Sequence, residues 1–364
     1  MAPRAGAKRN QIGAVALGSA SGLGGGLEAK EETGPMGAIT TTAVEYERGG
    51  RQRAVYGPED VEDVVCPLCD GTVRERLYTE RGVLGIVRCA GCNLIYVSPR
   101  LRNPEEVYWG DAAKYTEEAR LIFAGRAAHH RDPNYLDDLR VIEQFKPTGN
   151  FLDVGTNMGF FLRHTRGRGW NVTGVDPLAS LSELARRHFG LDVKTCLLQD
   201  AGFPDAHFDV VTMTDVFEHI SEPRSMLREI RRILKPDGIL FIKVPNGLLN
   251  VVKLRVLTRL GRLGMLDIFD SYEHVVHYSS RTLRRMLEDE GFRVRRQSIA
   301  RPIQLPVWHN FVGQFYQYPS PWALDWKKQT TRSLLYYASR VESWLMRGEI
   351  GWLSPNIVVV AEKA

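Results

Sequence analysis

The stretch FLDVGTNMGFFLRHTRGRGWNVTGVDP, Phe151–Pro177, decides the fold. Phe151–Val154 is a short apolar run, broken only by Asp153. It leads into Gly155-Thr-Asn-Met-Gly159, and an amphipathic segment follows. The chain then returns through a second apolar run that ends on Asp176, 21 residues after Gly155. That is the length a strand–helix–strand unit requires. Glycines at the first turn let the backbone approach a ligand at the helix N-terminus, and an acid at the tip of the second strand can accept both hydroxyls of a ribose. An adenosine-containing cofactor follows.

The loop is G-x-x-x-G and lacks the G-x-G-x-x-G of a dinucleotide site; Asn157 stands where a middle glycine would be, and asparagine tolerates left-handed backbone angles. Asp153 is awkward beside a pyrophosphate but suits a cationic amino-acid moiety. The expected cofactor is therefore S-adenosylmethionine, held by Asp153, Gly155, Asn157, Gly159 and Asp176.

Working outward, VKTC, FDVVTMTD and GILFIKVP read as further strands, and segments near 158–168, 179–189 and 223–234 as helices. Strands alternating with amphipathic helices predict an α/β fold on a parallel sheet. A helix in RTLRRMLEDE and strands in FRVRRQSIA and NIVVVAEK complete it. On these motifs, together with DVFEHI and the turn Leu234-Lys-Pro-Asp-Gly238, the sequence resembles the class I S-adenosylmethionine-dependent methyltransferases. The resemblance implies a Rossmann-like seven-stranded sheet whose last two strands form an antiparallel pair. It is narrower for bacterial sugar methyltransferases and ubiquinone-type O-methyltransferases.

Upstream, Cys66-Pro-Leu-Cys69 and Cys89-Ala-Gly-Cys92 are nineteen residues apart. Two C-x-x-C turns at that spacing predict a four-cysteine zinc ribbon, with Cys66, Cys69, Cys89 and Cys92 closing a structural metal site. Gly91 is read as permitting the second turn, and Cys196 as a buried residue within a strand. Eleven of the 34 glycines lie in the first fifty residues, which cannot build a core. Arg4, Lys8 and Arg9 precede only a weak apolar segment, so a cytoplasmic tail is favoured over an export signal, with Met36 a plausible alternative start. The predicted division is a disordered tail (1–60), the ribbon (61–100), a helical linker and substrate cap (101–148), the cofactor-binding core (149–301), and an aromatic-rich helical insertion with the last strand (302–364). In that insertion the stripe Leu334, Ala338, Val341, Leu345 is read as core packing.

The net charge is +5, from 48 basic and 43 acidic residues. That is a mixed surface, and no basic run is interleaved with aromatics in the ribbon, so nucleic acid is disfavoured as a partner. No apolar run reaches eighteen residues. The basic, leucine-rich stretch 250–263 reads foremost as a solvated helix, with a substrate lid or a lipid contact as alternatives.

Methyl transfer to a hydroxyl or a carbon acid needs a base. Two segments offer one. In Asp215-Val-Phe-Glu218-His219, His219 is the candidate base with Glu218 orienting it. By resemblance to the ubiquinone-type enzymes, Asp215, Glu218 and His219 are also open as metal ligands. In Tyr272-Glu273-His274-Val-Val-His277, resemblance to the sugar C-methyltransferases points to His274 with Glu273; the H-x-x-H pair, were it helical, could bind a metal. The expected activity is methyl transfer to a small biosynthetic acceptor, a hydroxyl of a sugar or related intermediate. C-methylation of a nucleotide-linked keto sugar, RNA methylation and cofactor binding without catalysis are the alternatives. The oligomeric state is not legible.

Overall fold

Ala43–Tyr46 and Gln52–Val55 pair as the antiparallel strands β1 and β2. The expectation of an unstructured stretch through residue 60 is therefore corrected at residues 43–46 and 52–60, and Tyr56 is already buried. The computed structural model describes residues 43–46, 52–104, 122–123, 129, 131–261, 267–300 and 326–364. Residues 1–42, 105–121 and 301–325, the last two being parts of the expected cap and aromatic insertion, lie outside them.

The cysteine region is built on β3 (Val61–Glu62), β4 (Arg74–Glu80), β5 (Leu84–Cys89), β6 (Ile95–Val97) and β7 (Arg100–Leu101). β3 pairs with β7, closing the module at its base. Then follow α1 (Asp132–Ile142), β8 (Asn150–Val154), α2 (Phe160–Arg166), β9 (Asn171–Val175), α3 (Ala179–Phe189) and β10 (Asp192–Lys194). β11 (Phe208–Thr214), α4 (Pro223–Ile233), β12 (Leu234–Pro245) and α5 (Gly247–Arg259) come next. The described chain ends with β13 (Val276–His277), α6 (Ser280–Asp289), β14 (Phe292–Ser298), α7 (Trp326–Leu345) and β15 (Asn356–Lys363).

The main sheet has seven strands in the order β10-β9-β8-β11-β12-β15-β14. β15 alone runs against its neighbours, so the expected antiparallel pair at the edge is present. The period of two along each strand sorts side chains between two cores. Leu152, Val211, Leu240 and Val359 face α4 and α6; Phe151, Val210, Phe241 and Val360 face α1, α2 and α3. Leu227 on α4 is fully buried in the first core, and truncating such a residue to alanine costs roughly 2–5 kcal/mol.

A second sheet, β13-β6-β5-β4, belongs to the cysteine module but takes one strand from residues 276–277. Cys66, Leu68, Val87, Cys89, Leu94 and Tyr96 of this module share the core with Leu152, Val211 and Tyr278. The module is thus packed against the sheet through a common apolar interior.

Three local readings are corrected. β10 ends at Lys194, and Cys196 lies beyond it, half-buried. The helix expected over 158–168 spans only Phe160–Arg166, because Gly159 is left-handed and caps it. On α7, Leu334, Val341 and Leu345 are exposed. Helical periodicity shows that one face is apolar but not what lies against it.

Candidate active site

β8 delivers the chain into a loop in which Gly155, Asn157 and Gly159 all take positive φ, at 72°, 52° and 79°. Asparagine is the non-glycine residue best suited to that region. A Cβ at Gly155 would lie 2.5 Å from Val216 Cγ2, and one at Gly159 would lie 2.5 Å from Leu191 Cδ1. Both glycines are therefore demanded by close approach as well as by conformation.

Asp176 follows β9. One carboxylate oxygen accepts the Asn157 N–H at 2.7 Å and the other the Leu178 N–H at 2.9 Å. A carboxylate has about four lone-pair positions, so two remain for a diol. Asp153 is buried on β8 and accepts a hydrogen bond from the Thr212 hydroxyl at 2.6 Å. Burial pushes its carboxyl up to about 7, with the Thr212 bond pulling the other way. Burial raises Asp176 as well. Two buried acids, one beneath a left-handed glycine loop and one bonded to its backbone, fit the amino group and ribose of S-adenosylmethionine.

The Val216 contact brings the segment after β11 against this loop. Asp215 has φ 53°, donates its N–H to the Lys243 carbonyl at 2.8 Å, and is ion-paired with Arg131. Phe217, fully buried, stacks on Tyr278 with ring centroids 5.1 Å apart, fixing the short helical turn Phe217–His219. His219 Nδ1 lies 2.9 Å from the carbonyl of Glu273. A carbonyl only accepts, so Nδ1 carries the proton and the lone pair is on Nε2.

His274 sits beside it, the two rings 4.7 Å apart. Its segment is threaded between the two sheets: Val275 N–H bonds the Glu218 carbonyl at 3.0 Å, and the Val275 carbonyl accepts from Val97 on β6. Burial lowers the pKa of both histidines, and the neighbouring His219 and His277 lower His274 further, so both stay neutral. His277 lies on β13 and His274 in the loop before it, so the H-x-x-H pair is not on a helix.

Glu218 is 2% exposed, and neither carboxylate oxygen has a hydrogen-bond partner among the described residues. Burial, with Asp215 nearby, raises its pKa well above the usual carboxylate range. The group that orients His219 is thus the Glu273 backbone, where sequence reading assigned that task to Glu218. A Glu218 oxygen and one ring nitrogen each from His219 and His274 lie within 4.8 Å of one another, a set that could hold a cation. Asp215, engaged by Arg131, is not in it.

Two contributors carried no sequence signal. Glu80, buried at the end of β4, accepts N–H groups from Ile268, Phe269 and Ser271 at 2.7, 2.8 and 3.0 Å. Arg81 pairs with Asp267 at 2.8 Å and lies 3.7 Å over the Tyr272 ring. Together they hold the segment leading to His274. Acids and arginines on a strand are common, and spacing does not reveal a partner nearly two hundred residues away.

The cysteine sulfurs converge: Cys66 and Cys92 are 3.4 Å apart, Cys69 and Cys89 are 3.5 Å apart, and all four lie within 4.8 Å. A tetrahedron of bonds near 2.3 Å gives sulfur separations of about 3.8 Å, so the set fits a zinc ion. The left-handed residues of the knuckles are Asp70 and Asn93, at φ 56° and 64°. Gly91 does not have positive φ, which corrects its expected role. A Cβ on Gly71 would lie 3.3 Å from the Cys69 sulfur, so a side chain there would crowd the metal-facing sulfur.

A family model described as a methyltransferase domain matches residues 127–297. The chain is 30% identical over 158 residues to the ubiquinone biosynthesis O-methyltransferase of Actinobacillus pleuropneumoniae serotype 7 (strain AP76), spanning 37% of this chain and 67% of that protein. It is 27% identical over 224 residues to the mitochondrial ubiquinone biosynthesis O-methyltransferase of Mus musculus, 56% of each chain. The match spans from about half to two thirds of these relatives' own length. Among solved structures, a SAM-dependent methyltransferase from Archaeoglobus fulgidus aligns at 19% identity and a TM-score of 0.41, covering 64% of this chain and 94% of that one. No helix among the described residues is long and apolar enough to cross a membrane. With the family model lying over the strands that carry the glycine loop, and a relative of that identity matched over that share of its length, the chain belongs to the class I S-adenosylmethionine-dependent methyltransferases and takes S-adenosylmethionine as its methyl donor.

Proposed function

We propose that this enzyme methylates a hydroxyl of a small biosynthetic acceptor, a sugar or a related intermediate, with His219 as the base. The observation that carries the reading is the meeting of Glu218, His219 and His274 beside the glycine loop, at the carboxyl edge of the sheet. Open α/β sheets bind their ligands there. Asp153 would hold the amino group of S-adenosylmethionine and Asp176 its ribose, with Gly155, Asn157 and Gly159 forming the floor. When bound, the cofactor supplies a methyl group on a sulfonium leaving group.

The protein then has two tasks. It aligns the acceptor oxygen in line with the methyl–sulfur bond, which supplies much of the rate. His219 Nε2 would take the proton of the acceptor hydroxyl as that oxygen is methylated, a role that contributes typically 10²–10⁴-fold. The Glu273 carbonyl stabilises the resulting imidazolium at Nδ1–H. Glu218, kept neutral by burial, lies beside them without adding a charge.

In the runner-up reading, His274 removes a proton from carbon beside a ketone. The orphaned Glu218 carboxylate favours a further version, in which a divalent cation bound with His219 and His274 lowers the hydroxyl pKa. The cysteines would hold a structural zinc. Residues 61–100 would act as a ribbon module and 101–148 as a substrate cap on the core of 149–301, with 302–364 carrying the insertion and last strand. The setting is taken to be cytoplasmic.

Turnover of His219→Ala and His274→Ala is compared at saturating cofactor, with cofactor affinity measured separately. A fall of about 10²-fold or more with unchanged affinity marks the base. Loss confined to His274→Ala favours carbon methylation, and recovery of chelator-treated enzyme only on adding Mg²⁺ or Mn²⁺ favours the cation. Near-normal turnover in both variants removes the histidine reading.

A further inference from the structure

A cavity of about 490 Å³ opens between the cysteine module and α5, lined by Glu75, Arg76, Tyr78, Arg88, Arg255 and Arg259 over an apolar floor that includes Leu254. That volume is in the range of small-molecule sites. Four guanidinium groups line it against one carboxylate, Glu75, which pairs with Arg88 at 3.7 Å. Arg76, Arg255 and Arg259 have no acidic partner among the described residues. Arg255 and Arg259 stand one helical turn apart, an arrangement of like charges that is mildly destabilising when nothing neutralises it. Arg76 and Arg88 face them from β4 and β5. A register irregularity between Arg76 and Tyr78 breaks the alternation of β4, so successive residues 75–78 all line the groove. The Trp352 ring, 5.5 Å from the Arg255 guanidinium, steadies that side chain.

We propose that this groove is an anion-binding site that takes a diphosphate group borne on a small organic body. Guanidinium forks match phosphate oxygens two at a time. Three uncompensated positive charges on facing walls suit the charge of a diphosphate, and the apolar floor leaves surface for the group attached to it. A nucleic-acid strand would call for an extended basic track with exposed aromatic rings, whereas these arginines close on a concavity. The proposal goes beyond the methyl-transfer reading, since occupancy is measurable with no acceptor present.

The test is titration calorimetry of the full chain with inorganic pyrophosphate, inorganic phosphate, and phosphatidylglycerol–phosphatidylcholine vesicles. Pyrophosphate should bind saturably at one site, at least tenfold more tightly than phosphate, and weaken as salt rises. The double variant Arg255→Ala/Arg259→Ala and, on the opposite wall, Arg76→Ala should each weaken binding at least tenfold. These side chains are solvent-exposed, so melting temperatures should hold, and Arg285→Ala on α6 should bind as the wild type does. Absence of saturable pyrophosphate binding, binding that survives both sets of substitutions, or binding to the vesicles alone would overturn the proposal.

Discussion

Asp153 shows how one residue's environment becomes a measurable property. Its carboxyl is held up to about 7 by burial, whereas a bound ammonium would hold it lower. Cofactor binding at pH 6 must therefore release a proton, and affinity should rise by up to about tenfold per pH unit toward pH 7. Beyond about 7.7–8.0 the cofactor's own amino group loses its charge and affinity should fall again. Calorimetry from pH 5.5 to 9 checks this; Asp153→Asn should bind weakly and lose the acid limb. A flat profile in the wild type contradicts the assignment. Asp176→Ala should weaken cofactor binding by roughly 100-fold or more, since two bonds to a charged acceptor are lost at about 1.5–3 kcal/mol each, while circular dichroism stays native. The placement of both acids beside the glycine loop was legible in the sequence, because strand ends in an alternating α/β chain have fixed positions. The pairing of His219 with the Glu273 carbonyl was not, because a backbone partner leaves no trace in residue type.

At the scale of elements, the cysteine module and the loop it anchors form one device. Glu80 on β4 satisfies three buried N–H groups of the segment 268–271, only a few residues before His274. Glu80→Ala should cost about 3 kcal/mol or more, because each orphaned buried donor costs about 1–3 kcal/mol. The loss is read as a lowered denaturation midpoint with an unchanged slope; a midpoint within error of the wild type's removes the anchoring role. Cys66→Ser, or zinc chelation, should destabilise the whole core and not a detached ribbon, since Cys66 and Cys89 share an apolar interior with Leu152 and Tyr278. One zinc per chain is expected by elemental analysis, and metal-free protein of full stability would contradict the site. The C-x-x-C spacing announced the four sulfurs. It did not announce that β13, almost two hundred residues later, completes their sheet, because two-residue strands have no periodicity to detect.

For the whole molecule, the order β10-β9-β8-β11-β12-β15-β14 was foreseeable from strand–helix alternation and the family resemblance. The exposed stripe on α7 was misread, because periodicity carries no information about what faces the apolar side. The fold brings the glycine loop, the Glu218–His219 turn and the His274 segment to one edge, and the central claim is that this edge transfers methyl groups to a small hydroxylated acceptor. The most direct test supplies the purified enzyme with S-adenosylmethionine labelled in its methyl group and a small-molecule cell extract, followed by mass spectrometry of the labelled product. The expected result is a low-molecular-weight product carrying one labelled O-methyl group, absent with Asp176→Ala and at least 10²-fold reduced with His219→Ala. Label found only in RNA or protein, label on carbon, or no transfer despite cofactor binding would contradict it.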